Sequence, residues 1–161
     1  MKKLLLIRHA KASHETGYTN DFERPLTPSG IKDAGIMAQR LHSKGVIPQV
    51  LISSPALRTL STANVLAEHL SLPAPILVNE IFDAGTKALF NIVENLPDEY
   101  DFIGLIGHNP AISDVIFHLT GKTENMDPGS VVFIEFEIES WKMVSEGNGE
   151  FLWYTTPKEL D

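Results

Sequence analysis

Apolar residues fall along this chain in two rhythms. Short unbroken runs stand at Leu4-Leu5-Leu6-Ile7, Val50-Leu51-Ile52, Ile76-Leu77-Val78 and Phe102 to Ile106. Runs of that length without polar alternation suit strands buried on both faces. Between them, apolar residues recur at helical spacing: Ile31, Ala34, Ala38 and Leu41; then Leu60, Ala63, Ala67 and Leu70; then Leu89, Ile92, Val93 and Leu96; then Ile112, Val115, Ile116 and Leu119. Four strands therefore alternate with four helices. Punctuation supports the division. Thr27 is a good N-cap and Pro28 a good first helical residue, with Gly45 and Pro48 beyond the end. Ser53-Ser54-Pro55 predicts the same serine-cap and proline device for the second helix, and Asn109-Pro110 a cap and opening for the fourth.

Two stretches differ. Residues 10–26 keep no period and carry Gly17, Asn20 and Pro25, which predicts a loop over the strand ends. From Val131 to Glu139, Ile134, Phe136 and Ile138 alternate with Glu135, Glu137 and Glu139. That pattern predicts an outer antiparallel strand with one solvated face. Gly147-Asn148-Gly149 predicts a hairpin turn, and Phe151 to Tyr154 the returning strand. The whole is an α/β chain: a three-layer α/β/α sandwich with a mostly parallel central sheet and a C-terminal antiparallel hairpin.

Composition narrows the function. With 161 residues, 43% hydrophobic and 21% charged, the chain suits one globular domain over residues 1–161. No apolar run approaches membrane-spanning length, and the run after Met1-Lys2-Lys3 stops at Arg8, too soon for a signal peptide. A cytoplasmic protein without a membrane partner is expected. There is no cysteine, which removes disulfides and thiol catalysis. A net charge of −8 argues against nucleic acid as partner, so an anionic ligand needs a local positive pocket. His14, His42, His69 and His118 have no companions at metal-ligand spacing. No metal and no organic cofactor is inferred.

The candidate chemistry lies past three strand ends. In an open α/β sheet, ligands sit beyond the carboxyl ends of the strands. Arg8-His9 follow the first strand, Ser53-Ser54-Pro55-Ala56-Leu57-Arg58 the second and Gly107-His108-Asn109-Pro110 the fourth. Taken alone, Arg8-His9 reads as a buried histidine beside a snorkelling arginine. Together the three ends offer two arginines, two imidazoles and helix N-termini, a pocket for a phosphoryl group. An imidazole there can attack phosphorus while guanidinium groups hold the oxygens.

At this point the chain resembles the histidine phosphatase superfamily, and its short SixA-type phosphohistidine phosphatase branch. Arg8-His9-Ala10 stands where the family has Arg-His-Gly, with alanine replacing the usual glycine. Arg24-Pro25-Leu26-Thr27-Pro28-Ser29-Gly30, Ser53-Ser54-Pro55-Ala56-Leu57-Arg58-Thr59 and Gly107-His108-Asn109-Pro110 are similar to three further family segments, in the right order. The resemblance implies a phosphoglycerate mutase-like fold and a covalent mechanism. His9 is the implied nucleophile; Arg8, Arg58 and His108 are the implied phosphoryl-binding groups. Many members carry a glutamate acid after the third strand, where this chain has Glu80, with Asp83 nearby. SixA-type members lack a dedicated acid, so Glu80 reads equally as a surface residue.

Lys11, Arg24 and Ser53 are further pocket candidates. Their plain readings are a solvated lysine, an ion pair to Asp21 and a residue that only turns the chain. Ser54 reads as a cap, and Trp141 and Trp153 as packing on the hairpin. The leading expectation is a monomeric phosphatase of phosphohistidine on a protein, such as a histidine phosphotransfer domain, since the stretch from His9 to Thr27 is too short for a large lid. The alternatives are a phosphatase of small phosphomonoesters with Glu80 as acid, and a catalytically silent phosphate-binding protein.

Overall fold

A computed structural model describes residues 1–14 and 20–159 of the chain; Gly17 of the anticipated loop lies outside them. Six strands form one sheet: β1 (Lys2–Arg8), β2 (Val50–Ser53), β3 (Ile76–Leu77), β4 (Phe102–Gly107), β5 (Val131–Phe136) and β6 (Glu150–Thr155). The order is β3-β2-β4-β1-β5-β6. The first four strands in chain order pair parallel, and β5 runs antiparallel to both β1 and β6. The helices are α1 (Pro28–Lys44), α2 (Leu57–Leu70), α3 (Thr86–Glu94) and α4 (Ala111–Thr120).

The side-chain period of two in β1 divides the core. Leu4 and Leu6 pack with Leu89 and Val93 of α3 and Ile112, Val115 and Ile116 of α4. Leu5 and Ile7 pack with Met37, Ala38 and Leu41 of α1 and Ala63 and Leu66 of α2. Alternate side chains of one strand thus feed two helical layers, which is why an unbroken apolar run marks the central strand. Each such side chain, fully buried, contributes about 1.5–3 kcal/mol. No described helix is long and apolar enough to cross a membrane.

Several local expectations change. On α1, Ile31 is 51% exposed and Met37 is buried instead. Thr27 does cap α1, accepting from the Gly30 amide at 3.0 Å, whereas α2 has no side-chain cap and begins after Ala56. Asn109 does not cap α4 in the anticipated way; its Oδ1 accepts from the Ser113 amide and hydroxyl, and Pro110 takes the cap position. β3 is only two residues, both exposed. β5 is not the outer strand. It ends at Phe136, before Glu137 and Glu139, and is hydrogen-bonded on both sides, so its buried run Val131–Ile134 outweighs the alternation beyond it. Gly147 and Gly149 do not close a tight hairpin: their amides donate to His118 and Leu119 carbonyls at the end of α4. Trp141, in the same connection, is fully buried.

Candidate active site

β1 and β4 end side by side, with Arg8 opposite Gly107. The next residues are His9 and His108, whose ring centroids lie 5.4 Å apart. β2 ends one strand further along, and α2 brings Arg58 over the same edge. A cleft of about 240 Å³ opens there, lined by Arg8, His9, Arg58, His108, Lys11 and Arg24 among others. Parallel strands that end on one edge bring His9, Arg58 and His108 together, while Lys11 and Arg24 come from the connection between β1 and α1.

His9 is held in one tautomer. Its Nδ1 lies 2.7 Å from the Ala10 carbonyl oxygen. A carbonyl only accepts, so Nδ1 carries the proton and Nε2 keeps its lone pair. Burial, followed by the charges of His108, Arg58 and Arg8, pushes the His9 pKa down to about 3, against the pull of the Ala10 hydrogen bond. The ring is neutral at pH 7. Ala10 fits in place of glycine: it is fully buried, and Ser71 is the only non-glycine residue with positive φ among those described.

His108 sits between a polar and an aromatic neighbour. Its Nε2 lies 2.8 Å from Ser54 Oγ, and the Phe82 ring meets it edge-on at 5.7 Å. Burial first, then Arg58, lowers its pKa to about 4, so with no anion in the cleft it too is neutral at pH 7. Arg8 donates through Nη1 to the Met126 carbonyl at 2.8 Å. Arg8 Nε and His108 Nδ1 are buried and lack a hydrogen-bond partner among the described residues. Buried polar atoms are seldom left unpaired, and here both belong to residues lining one cleft.

The secondary candidates divide. Lys11 and Arg24 line the cleft. Arg24 also makes the anticipated ion pair with Asp21 at 2.7 Å and donates to the Ser13 carbonyl and to His14 Nδ1. Ser53 does not reach the cleft: it is fully buried, its hydroxyl donates to the Ser54 carbonyl, and strand alternation sets it with Leu51 toward the α1 and α2 layer. Ser54, expected only as a cap, is the serine that touches the site. Glu80 is exposed on the 3₁₀ turn Asn79–Ile81, and Asp83 is exposed just beyond; neither is among the residues lining the cleft. From that loop it is Phe82 that reaches inward, with the Arg58 guanidinium 6.0 Å from its ring. The sequence carried no polar signal for Phe82; an aromatic residue in a short loop between two acids was the available hint.

The sequence profile of the histidine phosphatase superfamily (branch 1) matches residues 4–83, which hold Arg8, His9 and Arg58. The phosphohistidine phosphatase SixA of Escherichia coli is 26% identical over 162 residues, covering 98% of this chain and 96% of that protein. The chain belongs to the histidine phosphatase superfamily. It is accordingly a hydrolase of phosphate compounds. An uncharacterized protein of Picosynechococcus is also 26% identical, over 98% of both chains. Among solved structures, the protein histidine phosphatase SixA complexed with tungstate shares the fold, with a TM-score of 0.82, 24% identity and 96% and 97% of the two chains covered. A phosphoserine phosphatase of Entamoeba histolytica shares it at a TM-score of 0.70 and 17% identity, over 97% and 98%. The sheet order and helix layers described above are thus the phosphoglycerate mutase-like fold of this superfamily.

Proposed function

We propose that the protein hydrolyses phosphohistidine on a partner protein, through a covalent phosphoryl group on His9. The observation that carries this reading is the His9 tautomer: Nδ1 is committed to the Ala10 carbonyl, which leaves the lone pair on Nε2 of a ring lining the cationic cleft. In the first step the Nε2 lone pair forms a bond to phosphorus, and the bond from phosphorus to the substrate nitrogen breaks. The substrate ring, protonated by solvent on its other nitrogen beforehand, keeps that electron pair and leaves as neutral imidazole. Water then attacks the phosphoryl group on His9, phosphate departs and the ring returns to its neutral state. Arg8, Arg58 and His108 hold the phosphoryl oxygens throughout. Phosphoryl transfer depends chiefly on such positioning and charge stabilisation.

Two features favour phosphohistidine over an alkyl phosphate ester. An imidazole leaves readily, whereas an alkoxide needs an acid beside it, and Glu80 stands outside the lining residues. The cleft also adjoins, across Arg8 and Asn109, a larger hollow of about 910 Å³ that includes Ser113, Phe117 and His118. A phosphorylated side chain on a protein surface has room to enter from that side. The SixA name of the Escherichia coli relative supports the same substrate.

The test is a single-turnover assay on a phosphohistidine carrier protein, beside a small aryl phosphate ester, with acid-free mass spectrometry of the enzyme. The expected result is faster release from the carrier and a transient phosphoryl mass on His9, absent in His9→Ala. Faster ester turnover that falls in Glu80→Gln would instead establish the small-ester reading. Phosphate binding without turnover of either substrate would leave a binding protein.

A further inference from the structure

Arg58 enters the cleft already engaged. Its Nη1 donates to the main-chain carbonyl of Asp21 at 2.7 Å, and its Nη2 to Asp21 Oδ2 at 2.9 Å. A single residue thus supplies both acceptors to one face of the fork. The same carboxylate accepts from Arg24 Nη1 through Oδ1, at 2.7 Å. Asp21 therefore bridges two of the arginines that line the cleft. The burial is unequal: the Arg58 side chain is 8% exposed and that of Asp21 57%. A buried guanidinium takes its counter-charge from a surface segment, which removes much of the cost of an unpaired buried cation.

The segment that carries Asp21 is itself fixed. Asp21–Glu23 form a 3₁₀ turn, whose Asn20 cap accepts from the Glu23 amide. Phe22 packs edge-on against Phe82 at 5.1 Å, and Phe82 in turn abuts both Arg58 and His108. Hydrogen bonds from Arg24 and Arg58 hold the Asp21 carboxyl below the usual carboxylate range, so the bridge is charged. A guanidinium has five N–H donors. Two of Arg58's go to Asp21, which leaves Nε–H and one hydrogen on each terminal nitrogen for another acceptor.

We propose that Asp21 is a positioning residue of the phosphoryl site, which holds the Arg58 fork so that its remaining donors meet the phosphoryl oxygens. The inference rests on the reading that Arg58 binds those oxygens. It differs from a role in which the carboxylate merely competes with phosphate for Arg58, because the two have opposite signs when the carboxylate is removed.

Tungstate, the anion held by the SixA structure, serves as the probe. Its affinity for Asp21→Asn, Asp21→Ala, Arg58→Lys and the double variants is measured by calorimetry, with kcat and KM on the phosphohistidine carrier and thermal unfolding in parallel. Both Asp21 variants are expected to bind tungstate about tenfold more weakly and to lose a similar factor in kcat/KM, roughly the weight of one charged hydrogen bond. In the Arg58→Lys background, where charge stays but the fork is gone, the same substitutions are expected to change nothing further. Unchanged or tighter tungstate binding in Asp21→Asn overturns the proposal, as does an equal loss in the Arg58→Lys background. Asp21→Asn keeps the main-chain acceptor and the side-chain shape, so it remains readable if Asp21→Ala unfolds. If Arg58→Lys itself binds tungstate as the parent does, the assignment of Arg58 fails instead.

Discussion

Ser54 Oγ lies 2.8 Å from His108 Nε2, so a residue at the end of β2 sets the ring that follows β4. The hydroxyl also accepts from the Ala56 amide at 3.3 Å, which ties it to the turn into α2. Ser54→Ala removes this partner without opening a large cavity. We expect about a tenfold loss in kcat/KM, with kcat falling more than KM rises, and little change in thermal stability. Steady-state kinetics on the carrier protein checks it.

Arg8 presents a buried Nε that has no hydrogen-bond partner among the described residues and a second nitrogen anchored on Met126. Arg8→Lys keeps a charge and loses the fork. Loss of one such preorganised donor costs on the order of a hundredfold to a thousandfold in rate. The expected outcome is a kcat loss of that order, read by single-turnover kinetics. A loss under about threefold would remove Arg8 from the phosphoryl site.

Acid lowers stability through His9. Its folded pKa is about 3, and an unfolded histidine titrates near about 6.5. Between those values the unfolded chain binds more protons, so the depressed pKa costs stability as pH falls below the unfolded value. At pH 5 the loss relative to pH 8 is about 2 kcal/mol from this ring. His108, also lowered, acts in the same direction. Urea unfolding of the parent and of His9→Gln at pH 8 and pH 5 tests it: the variant is expected to lose less stability on acidification.

Gly30 stands three residues after the Thr27 cap, where a Cβ would collide with the Lys11 carbonyl oxygen. That carbonyl accepts from the Thr27 amide at 2.9 Å, so the contact joins the start of α1 to the wall of the cleft. Backbone oxygen cannot swing away as a side chain would. Gly30→Ala is expected to destabilise by about 1–3 kcal/mol and to weaken tungstate binding by displacing Lys11. Denaturant midpoints and calorimetry read the two effects separately.

Glu80→Gln separates the two substrate classes. With Glu80 exposed on its 3₁₀ turn, turnover of the phosphohistidine carrier is expected to stay within about twofold of the parent. A loss of about a hundredfold in turnover of a small aryl phosphate ester, the scale of a general acid, would bring the small-ester reading forward.

Much of this was legible in the chain itself. Leu4 to Ile7, Val50 to Ile52 and Phe102 to Ile106 are apolar without a break, and only strands covered on both faces have that demand, so layers and parallel pairing followed. Arg8, His9, Arg58 and His108 could be placed on one edge because parallel strands share a direction. The helix start at Thr27-Pro28 was local chemistry and held. The tertiary structure decided what depends on the facing surface. Ser53 and Ser54 are chemically alike; alternation turns Ser53 away from the cleft, and the way β2 packs beside β4 decides that Ser54 meets His108. Glu80, Phe82 and Asp83 share one short loop, and it is the ring that turns inward, against Phe22, Arg58 and His108. The antiparallel pairing of β5 with β6 follows the hairpin that the sequence predicts, but the place of β5 between β1 and β6, rather than at the outer edge, was decided by the sheet as a whole. The Asp21 bridge to Arg58 spans 37 positions of sequence. Periodicity reports which face of an element is buried, and local chemistry reports where elements start. Neither contains the distance between side chains on different elements, which is fixed only when the layers pack.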